Sequence, residues 1–357
     1  MGALYVRAAF AAALVVSVLL SGAFAEGVDR VWEKVEVVPH EADRRVDVLI
    51  GGKAFTAYIY PTTLKKPVLY PLRAADGTIV TRGYPLEPRP GERVDHPHHA
   101  GLWFNYGNVN GFDFWNNSDA IKPEDRAKMG TVIQQAIVAT RNGADRGELE
   151  TREAWLSGTG KMVLAQNTKY VFRGAANLRS IDLIATLEAT DEKVVFNDDK
   201  EGLLGMRVAR SLEGVADQPQ VFTDASGRPT PVDKSNPADV TGVYLTSEGK
   251  KGDAVWGTRG RWCTLTGTLA GAPVTIAILD HPKNPGFPTY WHARAYGLFA
   301  ANPLGAKVFT NGKEEMNFTL AAHASVTFRY RVLIFSGAAS PEAVEAEYKS
   351  FSTEYSR

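Results

Sequence analysis

Histidine, carboxylate and indole side chains crowd into two short stretches of this chain. Asp95-His96-Pro97-His98-His99 runs on through Ala100-Gly101-Leu102-Trp103 to Asp113-Phe114-Trp115, and Asp280-His281-Pro282 leads to Tyr290-Trp291-His292-Ala293-Arg294. Five of the seven histidines lie there. Imidazole beside carboxylate can move protons near neutral pH or ligate a metal. Indole interleaved with amides can grip the C–H faces and hydroxyls of a sugar. Both stretches are rich in Gly, Pro and Asn, so they read as loops or strand ends, where sites tend to lie.

Pro97 disfavours the helical region for His96 and predicts an extended backbone there. As a strand, the segment would put His96 and His98 on one face and His99 with Gly101 on the other. Small Ala100 and Gly101 would let a second segment or a ligand approach the backbone. His98 and His99 are candidate general acids; the plainer alternative for any one of them is a buried ring bonded to backbone carbonyls. Trp103, Tyr106 and Trp115 alternate with Asn105, Asn108, Asn110 and Asp113, which makes Asn105, Asp113 and Trp115 candidate ligand contacts.

A third stretch, Asn197-Asp198-Asp199-Lys200-Glu201-Gly202, enters an apolar run that ends in Arg207. Glu201 reads as a base at a strand mouth. Lys200 and Arg207 read as groups that hold a hydroxyl or carboxylate, and Asp198 and Asp199 as a solvated turn. In the second histidine stretch, strand alternation predicts Tyr290, His292 and Arg294 on one face with Trp291 behind. His281 and His292 therefore join the candidate catalytic set, and Trp291 and Arg294 the ligand-binding set. No cofactor is expected. A divalent metal remains an alternative, held by His96 and His98 with His281 or His292 and an aspartate.

The rest of the sequence narrows the function classes. The 357 residues carry 40 basic and 40 acidic side chains. No basic stripe is present to neutralise phosphates, so nucleic acid is not an expected partner. No phosphate-binding glycine loop is present either. Cys263 is the only cysteine, which excludes an intramolecular disulfide, and its apolar setting reads as a buried small side chain. Arg7, the apolar stretch Ala8 to Leu20 and Ala23-Phe24-Ala25 form a signal peptide over residues 1–25. The mature chain is expected to be exported, periplasmic or extracellular, with no membrane insertion after cleavage.

The elements that must position these residues read as β throughout. Arg45 to Ile50 and Phe55 to Tyr60 flank Gly51-Gly52, a hairpin signal. Strand-like runs follow at 131–140, 147–156, 161–173, 178–190 and 192–197, then at 261–269, 273–279, 307–310, 316–320 and 325–335. Ser340-Pro341-Glu342 opens a short helix to about Phe351. The stretch 219–239, with four prolines, reads as a long excursion from a sheet. The expected fold is all-β: one large antiparallel two-sheet sandwich over residues 26–357 with a short C-terminal helix.

At DHPHHAGLWF…VNGFDFW, DDKEGLLGMRVA and DHPKNPGFPTYWHARAYGLFAANPLG the chain resembles secreted bacterial proteins often labelled "methane oxygenase PmoA". That label conflicts with the residues, because a multi-span membrane subunit needs spanning helices that this sequence lacks. Strand count, the His/Arg/Glu set and the closing strand Phe328 to Phe335 are similar to the galactose-mutarotase supersandwich. This resemblance implies a sugar pocket with His as acid and a carboxylate as base, although Glu201 comes mid-chain rather than late. The reading is an exported carbohydrate-active enzyme of epimerase, lyase or glycosidase type with a carbohydrate ligand. The alternatives are a non-catalytic glycan-binding protein, with Trp115 and Trp291 carrying affinity, and a metal-dependent sugar enzyme. All three expect the two histidine stretches to meet at one concave pocket with Trp103, Trp115 or Trp291 as a wall.

Overall fold

The computed structural model describes residues 30–215, 218–233 and 236–355. The predicted signal peptide, residues 1–25, lies outside the described residues. Two eight-stranded antiparallel sheets face each other. Across the first, the strands run Val35–His40, Arg45–Ile50, Lys53–Ile59, Val68–Leu69, Leu102–Phe104, Leu204–Arg207, Leu298–Asn302 and Tyr290–Arg294. Across the second they run Val243–Thr246, Trp262–Leu269, Ala272–Asp280, Ser325–Ser336, Leu178–Ala189, Met162–Ala175, Gly147–Leu156 and Thr131–Arg141.

Period-two alternation decides which side chains meet between the sheets. Leu102 and Phe104, Leu204 and Met206, Trp291 and Ala293, and Phe299 and Ala301 all enter the shared core, where Leu183, Leu187, Ile276, Phe328 and Val332 of the second sheet join them. Their odd-numbered or even-numbered neighbours must then point to the outer face of the first sheet. That face carries the site. Gly51 and Gly52, at φ +58° and +75°, form the mirror-image turn that matches the twist of the strands they join.

The long predicted runs form strands close to their expected bounds. Two short ones differ. Residues 307–310 fall in a helical turn, Ala306–Phe309, closed by Thr310 N donating to Ala306 O at 2.9 Å and tethered by Lys307 N to the Asp198 carboxylate at 2.6 Å. Four residues carry too little periodicity to separate helix from strand. Of 316–320, only Phe318–Leu320 pairs as a strand. The C-terminal helix, Pro341–Thr353, is capped by the Ser340 side chain, which accepts from Ala343 N at 3.2 Å. It lays Val344, Tyr348 and Phe351 on Trp262, Leu279 and Leu333, on the outer face of the second sheet. Each such burial contributes roughly 1.5–3 kcal/mol. The excursion carries its own hairpin, Gln220–Thr223 with Pro229–Val232, and Phe222 bridges to Arg93 at the edge of the site. Among the described residues, no helix is long and apolar enough to cross a membrane.

Candidate functional site

One row of residues runs across four strands on the outer face of the first sheet. His292 pairs with Ala300, Ala300 with Gly205, and Gly205 with Trp103. The next row holds Arg294, Leu298 and Arg207. Strand spacing puts the ends of the first row roughly 14 Å apart. Gly205 is required here, since a Cβ on it would lie 2.6 Å from the Trp103 ring and 2.7 Å from that of Trp115. Its absence lets both indoles lie against the sheet, 5.1 Å apart and edge to face.

The DHPHH segment covers these indoles as a turn, not a strand. His99 N donates to His96 O at 2.9 Å, and His96 adopts φ +43° instead of the extended backbone predicted from Pro97. The buried Arg82 guanidinium supplies the reason, donating to the carbonyls of His96 and His99 at 3.1 Å each. The three imidazoles are consequently gathered together rather than split between faces, at centroid separations of 4.3–5.6 Å. Tyr296, His96, His99 and Trp103 form a column of near-parallel rings, with successive centroids 5.1, 4.9 and 5.2 Å apart. Gly101, at φ +60°, lets the Leu69 carbonyl approach the backbone as Ala100-Gly101 predicted.

Charge is concentrated beneath this column. Arg82 and Arg207, both buried, donate to the same Asp95 carboxylate oxygen, Arg207 at 2.7 Å. His96 Nδ1 lies 3.2 Å from the other oxygen. Burial alone would raise the Asp95 carboxyl, but the His96 hydrogen bond and the two guanidiniums hold it well below the ordinary carboxylate range. Burial, then the neighbouring Arg207, lowers Arg82 to about 9. Burial, reinforced by Lys66, lowers His98 to about 2, and burial with His98 and Arg207 nearby pushes His99 well down. Burial and the neighbouring cations therefore favour the neutral form of both rings, whereas the predicted general-acid role would draw on the protonated form. Lys66 is buried as well, lowered to about 7 by desolvation, and donates to the carbonyls of His98 at 2.8 Å and Trp115 at 3.3 Å.

Glu201 and His292 form the other end of the site. Glu201 Oε1 accepts from Lys200 Nζ at 2.7 Å, whereas the buried Oε2 has no hydrogen-bond partner and lies 3.6 Å from His292 Nδ1. Burial raises the Glu201 carboxyl against the pull of Lys200, with Asp199 adding to the rise. Burial and then Lys200 bring His292 down to about 3, and its Nδ1 makes its bond to the Lys200 carbonyl at 3.0 Å. Burial, against the pull of Arg207 and with Glu201 adding to the rise, lifts the Tyr296 hydroxyl to about 12. As alternation predicted, Arg294 projects from the same face, exposed, over Trp256 at 5.7 Å and Tyr296 at 6.0 Å.

Other predicted site residues have other places. His281 follows a strand of the second sheet and packs on Phe351 of the C-terminal helix. Its Nδ1 accepts from Lys283 N at 3.1 Å and its Nε2 bonds Glu354 O at 2.9 Å, so both ring nitrogens are in use away from the cluster. Trp115 is fully buried, its indole N–H on His99 Nε2 at 3.2 Å, and Trp291 is fully buried in the shared core. Neither exposes a face for a sugar, and the same holds for Trp103. Asn105 is buried and donates to Phe114 O. Asp113 accepts from Trp115 N and Asn116 N at 2.9 Å each, which closes a turn. Lys200 acts through Glu201 and its own carbonyl. Asp198 is not a solvated turn residue, because it accepts from the backbone of Lys307, Met316 and Asn317. The metal set through His281 fails because that ring lies on the other sheet, and for the alternative through His292 no group of three or more His, Cys, Asp or Glu is placed among the described residues to hold an ion. Arg82, Arg207 and Lys66 around the imidazoles repel a cation besides.

A cleft of about 560 Å³ opens above the column, lined by Arg93, Asp95, His96, Trp256, Arg294 and Tyr296 among others. Gln218 and Gln220 of the excursion form part of its wall. Lys66, Arg82, Arg93, Trp256 and Tyr296 are the residues that sequence reasoning missed. Arg93 stands two positions before Asp95 and Tyr296 two after Arg294, so strand alternation could have marked both; nothing local marks Lys66, Arg82 or Trp256.

The family of unknown function DUF6807 matches residues 45–349, and the chain belongs to it. No curated protein matches the sequence. Among solved structures, the chain is similar to the galactosidase domain of alpha-galactosidase-sucrose kinase AgaSK, with TM-score 0.39, 9% identity, and coverage of 84% of this chain but 42% of that one. It is also similar to galactose 1-epimerase from Lactobacillus acidophilus NCFM, with TM-score 0.36 and 12% identity over 86% of this chain and 100% of that one. A third likeness is to Slr1438 protein from Synechocystis sp. PCC 6803, with TM-score 0.34 and 8% identity over 88% of this chain and 99% of that one. The all-β sandwich is established by the two sheets themselves, and none of these likenesses assigns a site.

Proposed function

We propose that this chain is an exported carbohydrate-active enzyme, working by acid–base chemistry at Glu201, which lies beside the cleft above Asp95, His96 and Tyr296 and outside its lining. The observation that carries the reading is Glu201. Its carboxyl is buried and raised, one oxygen is free of hydrogen bonds, and a neutral imidazole stands beside it. A carboxyl raised toward neutrality can hold a proton in one step and accept it in the next. The neutral rings of His292, His98 and His99 hydrogen-bond and orient rather than act as imidazolium acids. Tyr296 and Trp256, partly exposed in the cleft, offer ring faces, and Arg294 offers N–H donors for hydroxyl groups. Epimerisation, elimination and glycoside cleavage all use such a carboxyl.

The test is conversion. Purified mature protein is incubated with a panel of mono- and oligosaccharides, and the anomeric proton signals are followed by NMR. The account expects at least one sugar to change, and Glu201→Gln to slow that change by about 100-fold or more. Turnover undiminished in Glu201→Gln would contradict the assignment. Binding without conversion of any sugar would favour the glycan-binding reading, with Trp256 and Tyr296 as its platform in place of Trp115 and Trp291.

A further inference from the structure

The groups around the cleft hold more positive charge and more hydrogen-bond donors than the chain compensates. Arg82, Arg93, Arg207 and Arg210 lie together, and Asp95 and Glu213 are the carboxylates they share. Asp95 takes Arg82 and Arg207, while Glu213 takes Arg93 at 2.6 Å and Arg210 at 2.6 Å. With the adjoining Arg89–Glu92 pair counted, five guanidiniums thus stand against three carboxylates. Arg82, Arg93 and Arg207 are each at least 99% buried, since none has more than 1% exposure, and a buried guanidinium does not shed its proton at physiological pH. Leaving such a charge unneutralised is costly, so a site that keeps it is built for an anion.

Hydrogen bonding points the same way. Arg82 Nε, Arg93 Nη2 and Arg207 Nε are buried without acceptors, three donors against one unpaired oxygen of the carboxylates they share, Glu213 Oε1. His99 faces two donors, Trp115 Nε1 at 3.2 Å and Arg207 Nη1 at 3.3 Å. A neutral imidazole has one lone pair, so whichever ring nitrogen carries the proton, one donor stays without an acceptor. Arg93 lines the cleft, and Arg294 adds a further guanidinium at its rim, with Asp253 the carboxylate nearby on the wall.

We propose that the cleft takes an acidic sugar, a uronate, whose carboxylate is received on the Arg93 and Arg294 side while its ring lies against Tyr296 and His96. This deepens the proposed function and rests on its reading that the ligand is a carbohydrate. Guanidinium recognises carboxylate through paired N–H bonds, and a neutral hydroxyl cannot supply the missing charge.

Calorimetric titration of the mature protein with glucuronate and galacturonate, their methyl esters, and glucose and galactose tests it. At least one uronate is expected to bind about tenfold or more tightly than its ester and its neutral parent, and to weaken as salt is raised. Arg294→Met removes an exposed guanidinium, and its thermal melt checks that the fold is kept. It should reduce uronate affinity by a factor several-fold larger than its effect on neutral-sugar affinity, so that the preference for a uronate over its neutral parent shrinks. Equal affinity for a uronate and its neutral parent would overturn the proposal and leave the carbohydrate reading standing. Absence of binding by every sugar tested would count against both.

Discussion

The tripeptide Asp-His-Pro occurs at 95–97 and again at 280–282, and the two copies sit in opposite surroundings. Around the first, Asp95 meets two buried guanidiniums, and His96 stands 41% exposed at the mouth of a cleft in a left-handed backbone conformation. Around the second, Asp280 is fully buried and receives only neutral donors, Asn284 Nδ2 at 2.7 Å and Thr289 N at 2.8 Å. His281 is buried against the C-terminal helix with both ring nitrogens engaged. Burial therefore wins at Asp280 and pushes its carboxyl up to about 7, whereas the His96 bond and the arginines win over burial at Asp95. The same three residues form part of the proposed ligand site in one place and a structural joint in the other. What differs is the charge of the groups that the fold brings to them.

The largest effect is expected at the first copy. Asp95→Asn leaves Arg82 and Arg207 facing each other without their shared counter-charge and should cost about 3–5 kcal/mol of unfolding free energy at pH 7. Urea denaturation measures it. A loss under about 1 kcal/mol would mean that the guanidiniums are neutralised by something else.

Asp280→Asn should behave differently, and with a pH dependence. The folded carboxyl titrates near 7, above its unfolded value of about 4, so the native state keeps a proton that the unfolded chain releases. Wild-type stability from this group is present below about pH 4 and declines as pH rises toward about 7. At pH 5 the substitution should cost about 1–3 kcal/mol, because a donor that the carboxyl satisfied loses its acceptor. At pH 8 it should cost less, since it removes a carboxylate that must ionise in a buried site. Equal costs at the two pH values would break the contrast between the copies.

The parts of this arrangement that were legible in the sequence are those set by local pattern. Alternation along Tyr290–Arg294 put His292 and Arg294 on the face opposite Trp291, as found, because a strand allows no other parity. Gly51-Gly52, Ser340-Pro341 and the long strands follow from turn and cap chemistry for the same reason. The turn at His96–His99 was not legible, because Arg82, whose guanidinium holds its carbonyls, lies in a different segment. Arg207, which shares Asp95 with it, is 112 positions from that carboxylate. Nor did the tryptophans reveal their burial: Trp103 and Trp115 lie within the sheet layer because Gly205, on a remote strand, leaves room for them. His281 looked like a site residue because its stretch is dense in histidine, carboxylate and tryptophan. Only the packing of a helix some seventy residues later shows its role.

The smallest stability effect is expected at His96. Its φ of +43° strains any side chain with a Cβ. His96→Gly should therefore lie within about 1 kcal/mol of wild type and tend to be more stable. Sugar binding should nevertheless weaken, because the ring that lines the cleft and stacks on Tyr296 is gone. Thermal melting and calorimetric titration of the one variant read both. Destabilisation with unchanged affinity would place His96 with His281 as a structural residue.

The most direct test of the contrast follows the histidines themselves. Protein carrying ¹⁵N-histidine has seven imidazoles to resolve, and the mature chain is titrated with galacturonate and then galactose while their ring signals are recorded. The account predicts that His96 moves with ligand, that His292 responds through Glu201 beside it, and that His281 stays fixed throughout. A shift at His281 with His96 unmoved would contradict it and put the ligand on the other sheet.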